Sequence, residues 1–172
     1  FKPGFTLGER AETYEKLEDG RFKVTTIKGT EHVAPVIAIA GGLGSFEPRK
    51  PPISNLGDFE DKGVEYMIRE PELYRDKTVV IAGGGDSALD WTIFLADIAK
   101  EVSLVHRRTS FRGALDSVEK VQELAESGKI SLITNAQIVG LTGDEKLKAV
   151  TIKQKKEERQ KETDHFIPLF GL

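Results

Sequence analysis

The most constraining feature of this 172-residue chain is an apolar strand that runs into a glycine-rich turn and then into a helix. The strand is predicted over residues 78–82 and the helix over residues 87–100, with Gly83-x-Gly85-x-x-Ala88 between them. Gly83 permits a tight turn, Gly85 admits a pyrophosphate without a clashing Cβ, and Ala88 lets the helix pack close to the strand. The helix amino terminus directs its free N–H groups toward the same point. The pattern predicts a dinucleotide-binding Rossmann unit, and a glycine-rich turn without a ligand is the alternative.

The remaining positions of this turn are Gly84, Asp86 and Ser87. A carboxylate beside a pyrophosphate is costly, so we expect Asp86 to cap the helix by accepting hydrogen bonds from its first amides. Ser87 is placed either to cap the helix or to donate to a phosphate. All three are therefore candidate cofactor-binding residues.

A basic cluster follows the second predicted strand, residues 101–106, and consists of His106, Arg107, Arg108 and, on the next loop, Arg112. Sites for NAD(H) place Asp or Glu here, on the ribose hydroxyls. An acidic side chain repels a 2′-phosphate, whereas arginine offers a permanent charge and a planar fork that matches phosphate oxygens. The cluster predicts NADP(H) rather than NAD(H). A solvated basic loop is the alternative.

Composition excludes several other kinds of site. The chain has 28 acidic and 25 basic residues, a net charge of −3, which gives no global attraction to nucleic acid or to an anionic membrane. It has no cysteine, so it contains no disulfide and no Cys-x-x-Cys redox pair. No apolar run is long enough to span a bilayer, and we expect a soluble protein. Its histidines are scattered, so we predict no metal.

The rest of the pattern predicts an α/β protein with two domains. A hairpin is expected over residues 10–17 and 21–27, and a strand buried on both faces over residues 32–40. The proline-rich stretch 45–76 predicts a domain boundary. Beyond it we expect a helix over 116–127, a strand over 130–135, an antiparallel meander over 137–142 and 147–153, and a solvated charged tip over 155–161.

Residues 83–91 and the string Val105-His106-Arg107-Arg108 with Phe111-Arg112 resemble the NADPH domain of thioredoxin-reductase-like ferredoxin–NADP reductases, class II of the pyridine nucleotide-disulfide oxidoreductase superfamily. Residues 40–49 and 167–172 resemble parts of that family's FAD domain. The resemblance implies a partial FAD-binding domain over 1–55, a Rossmann-type NADPH domain over 56–165 and a return to the FAD domain over 166–172. Because no glycine fingerprint for FAD is present, we expect the chain to be part of a longer protein and inactive alone.

The resemblance also implies FAD and NADP as cofactors and ferredoxin or flavodoxin as the electron partner of a cytoplasmic, homodimeric enzyme. It places Ala11 near the FAD adenine and Phe46 near the flavin, with the backbone of Gly41 and Gly42 approaching the cofactor. The cofactors carry the redox chemistry, so we predict no catalytic side chain.

Three other readings compete with this one. A thioredoxin-reductase-like protein without its redox cysteines fits the same pattern, since residues 63–70 hold no thiol. A non-catalytic NADP(H)-binding sensor would carry the same glycines and arginines. A methyltransferase that uses S-adenosylmethionine also has a glycine-rich turn, but its site requires a carboxylate where Arg107 and Arg108 stand.

Overall fold

A computed structural model describes residues 3–41 and 48–171 of the chain. The chain divides into two compact units, residues 1–45 and residues 46–172. This division lies ten residues before the predicted boundary at 55/56. The reason is that the proline-rich stretch packs into the second unit instead of forming a linker between two domains. Ile53, Leu56 and Phe59 are buried in the core of the second unit, and 3-10 helices form at Leu56–Phe59 and Pro71–Tyr74.

The first unit contains a three-stranded antiparallel sheet made of β1 (Ala11–Lys16), β2 (Phe22–Thr26) and β3 (Glu31–Ala34), in that order. The predicted hairpin turns at Gly20, whose φ of 84° favours glycine. The prediction of a buried strand over 32–40 is wrong. Only β3 forms, and Val36 and Ile39 beyond it are 73% and 94% exposed. An apolar run becomes a doubly buried strand only when layers cover both its faces, and this small sheet provides none.

The elements of the second unit, in chain order, are β4 (Thr78–Gly83), α1 (Asp86–Leu95), β5 (Glu101–His106), α2 (Leu115–Glu126), β6 (Ser131–Thr134), β7 (Ala136–Gly143), β8 (Leu147–Gln154), β9 (Glu157–Glu162) and β10 (His165–Leu169). Four of the strands form a parallel sheet with the order β10-β4-β5-β6. Antiparallel strands β7 to β9 form a separate three-stranded meander. The predicted α/β class, a Rossmann-type parallel sheet with an antiparallel meander, is confirmed.

Both faces of the parallel sheet are covered, because successive side chains of a strand point to opposite faces. Val79 and Ile81 of β4 belong to one core cluster, which includes Leu89 of α1 and Val121 of α2. Val80 of β4 belongs to the other, with residues of the meander and of the stretch before β4. The sheet is therefore the middle layer of this unit.

Three predicted elements differ from those observed. The segment 166–172, predicted to return to the FAD domain, begins within β10, which pairs with β4 at Ile167 and Ile81, and both of these side chains are fully buried. The charged run 155–161 is mostly β9, which pairs with β8, and only its first residues turn. Helix α1 ends at Leu95 instead of near residue 100, and residues 96–98 form a turn. Within the described ranges, no helix is long and apolar enough to cross a membrane.

Candidate nucleotide-binding site

The glycine turn, residues 83–85, lies at the carboxyl end of β4 and leads directly into α1. This is the edge of an open α/β sheet where ligands bind in such folds. Gly85 is the N-cap residue of α1, with φ of −105° and ψ of −179°. The first amides of a helix have no intrahelical acceptor, so those of α1 point out of the turn toward any bound anion.

The three glycines of the turn are required for different reasons. A Cβ on Gly83 would lie 2.6 Å from the Cβ of Ala88 and 2.6 Å from the carbonyl oxygen of Leu169. A Cβ on Gly84 would overlap the imidazole of His106. Apart from its chain neighbours, a Cβ on Gly85 would meet no atom of a described residue within 4 Å. Gly83 and Gly84 are therefore required for packing, because a side chain at either position would clash with neighbouring atoms. Gly83 is required for this close contact and not for an unusual φ. Gly85, in contrast, faces open space.

His106 lies beneath the turn and is buried, with 8% of its surface exposed. Its ring stacks on Phe111 at 4.8 Å between centroids, and Nε2 lies 3.0 Å from the carbonyl oxygen of Ser110. Because a carbonyl only accepts, Nε2 carries the proton and donates. Burial lowers the pKa of His106, and the charges of Arg107 and Arg108 lower it further, while hydrogen bonds to backbone carbonyls oppose the shift. The side chain predicted to bind cofactor thus lies under Gly84.

The arginine loop, defined as residues 107–114, leaves β5 beside the glycine turn. Arg107, Arg108 and Arg112 are exposed, and none of them forms an ion pair within residues 3–41 and 48–171. The backbone N–H of Arg112 donates to the carbonyl of Gly84 at 2.7 Å. The structure therefore brings the predicted arginines and the predicted glycines to one edge of the sheet.

Asp86 does not make the predicted cap of α1. Its Oδ1 accepts the backbone N–H of Ala114 at 2.7 Å, so the carboxylate faces the arginine loop. The reason is that the helix begins one residue earlier than a capping role requires: Gly85 is the N-cap and Asp86 is already helical. Ser87, the next residue, is exposed at the same helix terminus. Ala88 is fully buried against Gly83, as the fingerprint predicts.

Some contacts at the site carry no signal in the sequence fingerprint. Asp90, one turn along α1 from Asp86, accepts the hydroxyl of Ser117 at 3.0 Å. A Cβ on Gly113 would lie 2.5 Å from Cδ1 of Leu89, so the loop passes close to α1. The glycine after Arg112 is the one hint of this approach that the sequence offers.

Two of the four residues predicted to contact FAD, Ala11 and Gly41, lie in the described part of the first unit. Ala11 is the exposed first residue of β1, and Gly41 is also exposed. Gly42 and Phe46 lie outside the described residues. These four assignments stay predictions. Across the part of the chain that the structure describes, no three His, Cys, Asp or Glu side chains form a group that would hold a metal.

Comparison with known proteins agrees with this geometry. Residues 78–159 match the family model described as pyridine nucleotide-disulphide oxidoreductase. The chain is 70% identical over 175 residues to ferredoxin–NADP reductase 2 of Christiangramia forsetii, a match that covers all of this chain and 49% of that protein. It is 66% identical to the ferredoxin–NADP reductase of Flavobacterium johnsoniae, again covering all of this chain and 49% of the relative. The chain thus spans about half the length of these relatives.

Solved structures show the same fold. The thioredoxin reductase of Giardia duodenalis has a TM-score of 0.77 at 25% identity, covering 96% of this chain and 53% of that one. The thioredoxin reductase of T. acidophilum has a TM-score of 0.76 at 23% identity, covering 95% and 52%. The resemblance predicted from the sequence is confirmed: residues 78–159 match the pyridine nucleotide-disulphide oxidoreductase family model, and ferredoxin–NADP reductases are similar to this chain along its whole length.

Proposed function

We propose that the second unit binds NADP(H) between the glycine turn and the arginine loop, as the nucleotide-binding part of an FAD-dependent ferredoxin–NADP reductase. One observation carries the proposal. The space in front of Gly85, at the amino terminus of α1, is open, and exposed arginines that form no ion pair with any described residue follow the neighbouring strand.

Each part of the proposed site suits a different part of the nucleotide. The pyrophosphate would lie against Gly85 and the first amides of α1, where the helix dipole favours negative charge. Ser87 would donate to a phosphate oxygen. The 2′-phosphate would lie among Arg107, Arg108 and Arg112, whose guanidinium groups bind phosphate in a bidentate manner. Gly83, Gly84 and His106 would support this arrangement from below.

The reaction of the longer protein is inferred from its relatives, which are named ferredoxin–NADP reductases. In the longer protein, NADPH and FAD would supply the redox chemistry, which is hydride transfer between them followed by single-electron transfer to ferredoxin or flavodoxin. In this scheme the residues of this chain bind and orient the nucleotide, and no side chain acts as acid or base. The FAD contacts of Ala11, Gly41, Gly42 and Phe46, the homodimer and the cytoplasmic location stay predictions.

Two other functions predict different behaviour. A redox-inactive sensor would bind NADP(H) at the same residues but would show no flavin in a longer protein that contains this chain. A thioredoxin-reductase-like enzyme needs a thiolate for disulfide exchange, and this chain contains no cysteine. The high identity to ferredoxin–NADP reductases favours the first proposal over both.

The experiment removes the two arginines that follow β5. Charge-assisted hydrogen bonds contribute about 1.5–3 kcal/mol each, so Arg107→Ala with Arg108→Ala weakens NADPH binding by roughly 3–6 kcal/mol if the terms add. Solvent exposure moves the expected loss toward the lower limit. NADH lacks the 2′-phosphate, and its binding is expected to change little. Calorimetric titration of both nucleotides measures the two effects separately.

The matched control is Lys155→Ala with Lys156→Ala, which removes the same charge from the exposed turn between β8 and β9. It is expected to leave both affinities unchanged. Added salt is expected to weaken the NADPH binding of the parent chain, because exposed charge pairs are screened. Equal losses for NADPH and NADH in the arginine variant would contradict the assignment of these residues to the 2′-phosphate.

A further inference from the structure

The arginine loop is held in one conformation by hydrogen bonds at several points along its length. Near its middle, the carbonyl of Ser110 accepts a hydrogen bond from the buried imidazole of His106 at 3.0 Å. Further along, the N–H of Arg112 donates to the carbonyl of Gly84 at 2.7 Å. A loop that carries three like charges repels itself, so these bonds oppose its tendency to spread.

The third hydrogen bond of the loop is accepted by the side chain of Asp86 rather than by a backbone carbonyl. Its carboxylate accepts the N–H of Ala114 at 2.7 Å, and Ala114 is the N-cap residue of α2. The acceptor is therefore a charged group, which makes a stronger hydrogen bond than a carbonyl does. It joins the amino terminus of α1 to the far end of the arginine loop.

The packing around this bond leaves little freedom. A Cβ on Gly113 would lie 3.0 Å from Oδ1 of Asp86 and 2.5 Å from Cδ1 of Leu89. The loop can approach α1 this closely because residue 113 is glycine. The hydrogen bond from Ala114 to Asp86 therefore lies next to a close contact between the loop backbone and helix α1.

We propose that Asp86 is a positioning residue for recognition of the 2′-phosphate, acting through the arginine loop rather than through contact with the nucleotide. The inference rests on the proposed NADP(H) site and deepens it. By fixing Ala114, Asp86 holds Arg112 and the guanidinium groups before it in a conformation formed before the ligand binds, which lowers the ordering cost of binding. It acts as a determinant of the choice between NADPH and NADH.

The ratio of the dissociation constants for NADH and NADPH distinguishes this positioning role from a simple effect of the charge of Asp86. The negative charge of Asp86 stands near the pyrophosphate, which NADPH and NADH share, so removal of the charge alone changes both affinities by a similar factor. Loss of the loop position affects the 2′-phosphate, which NADPH alone carries. The ratio of the two dissociation constants therefore reports positioning, and the NADH value reports charge.

The experiment compares Asp86→Ala with Asp86→Asn by calorimetric titration of NADPH and NADH. The alanine variant is expected to lower the preference for NADPH roughly three- to tenfold, a modest factor because the hydrogen bond is exposed to solvent. Asparagine keeps an amide oxygen that accepts from Ala114. It is expected to retain the preference of the parent chain within about twofold while its NADH affinity follows that of the alanine variant.

Two controls confine the effect to the loop. Asp90→Ala removes a carboxylate from the same helix, one turn further on, where it accepts the hydroxyl of Ser117 at 3.0 Å. This variant is expected to keep the nucleotide preference. In a background with Arg107→Ala and Arg108→Ala, Asp86→Ala is expected to have little further effect on the preference, because most of the groups that it positions are gone.

The outcomes distinguish this inference from the proposal beneath it. A parent chain that binds NADPH and NADH equally, or neither, would overturn the proposed site itself. A parent chain that prefers NADPH, with the same preference in Asp86→Ala, would overturn the positioning role alone. An asparagine variant as impaired in preference as the alanine variant would show that the oxygen that accepts from Ala114 does not carry the effect, and it would also overturn the positioning role.

Discussion

Neighbouring glycines at positions 84 and 85 are expected to respond to the same substitution in opposite ways. In Gly85→Ala the new methyl group enters open space, since apart from its chain neighbours no described residue has an atom within 4 Å of it. The φ of −105° suits an L residue. Lower entropy of the unfolded chain favours alanine by about 0.4–1 kcal/mol, and the poorer N-cap costs a similar amount. The free energy of unfolding is therefore expected to change by less than about 1 kcal/mol.

Nucleotide binding is where Gly85→Ala has its effect. In the proposed site, the methyl group would occupy the space that the pyrophosphate needs and would prevent its closest approach to the backbone. Loss of one charge-assisted hydrogen bond, about 1.5–3 kcal/mol, lowers the affinity roughly ten- to hundredfold. NADPH and NADH share the pyrophosphate, so both are expected to lose affinity equally.

Gly84→Ala places the same methyl group against the buried ring of His106. Overpacking of this kind costs about 1–3 kcal/mol, which lowers the Tm by roughly 2–12 °C for a chain of this size. Thermal unfolding followed by circular dichroism, with calorimetric titration of both nucleotides, gives the two readouts for both variants. Full nucleotide affinity in a folded Gly85→Ala protein, or an unchanged Tm in Gly84→Ala, would refute the reasoning.

Two further predictions concern buried polar groups of β5. Because burial lowers the pKa of His106, the unfolded state binds more protons below about pH 6.5, so the free energy of unfolding is expected to fall as pH decreases from there. His106→Gln should remove this part of the pH dependence, as measured by urea titrations at several pH values. His32→Gln, a control at an exposed position, should keep it. The same slope of unfolding free energy against pH in the parent chain and both variants would count against the assignment to His106. Ser103 has a buried hydroxyl without a hydrogen-bond partner among the described residues. Ser103→Ala is therefore expected to raise the free energy of unfolding by about 1 kcal/mol. A loss of stability in the same titration would mean that the hydroxyl has a partner.

The sequence predicted the parts of the structure that depend on local pattern. The strand, turn and helix around Gly83 carry both a hydrophobic period and a glycine spacing, and the arginines follow a strand whose bounds, Glu101–His106, agree with those predicted. The capping role of Asp86 was wrong because it depends on which residue begins the helix, and a shift of one position turns the side chain away. His106 ends an apolar strand, and nothing in its neighbours along the chain signals that Gly84 and Phe111 enclose it.

Predictions that depend on the surroundings of a segment were less successful. The run 32–40 is apolar enough for a buried strand, but burial requires covering layers that its own letters do not encode. The run 155–161 was predicted as a solvated tip because it is charged. Five of the six residues of β9 are exposed, but the strand forms because it pairs with β8, which its composition does not signal. The stretch around Ile53 reads as a linker because of its prolines, although its apolar residues belong to a core.

The backbone N–H of Arg49 donates to the carbonyl of Gly171 at 3.2 Å, so the two ends of the described part of the second unit meet. Because these ends lie close together, they could be joined and the chain opened at another point with little change to the contacts within the unit. A circular permutant that joins these ends through a short glycine linker and opens the chain at the exposed turn of residues 144–146 would keep every strand pairing of both sheets. In such a permutant the glycine turn and the arginine loop would remain on one uninterrupted stretch of chain, so nucleotide recognition would be separated from the order in which the rest of the protein is connected.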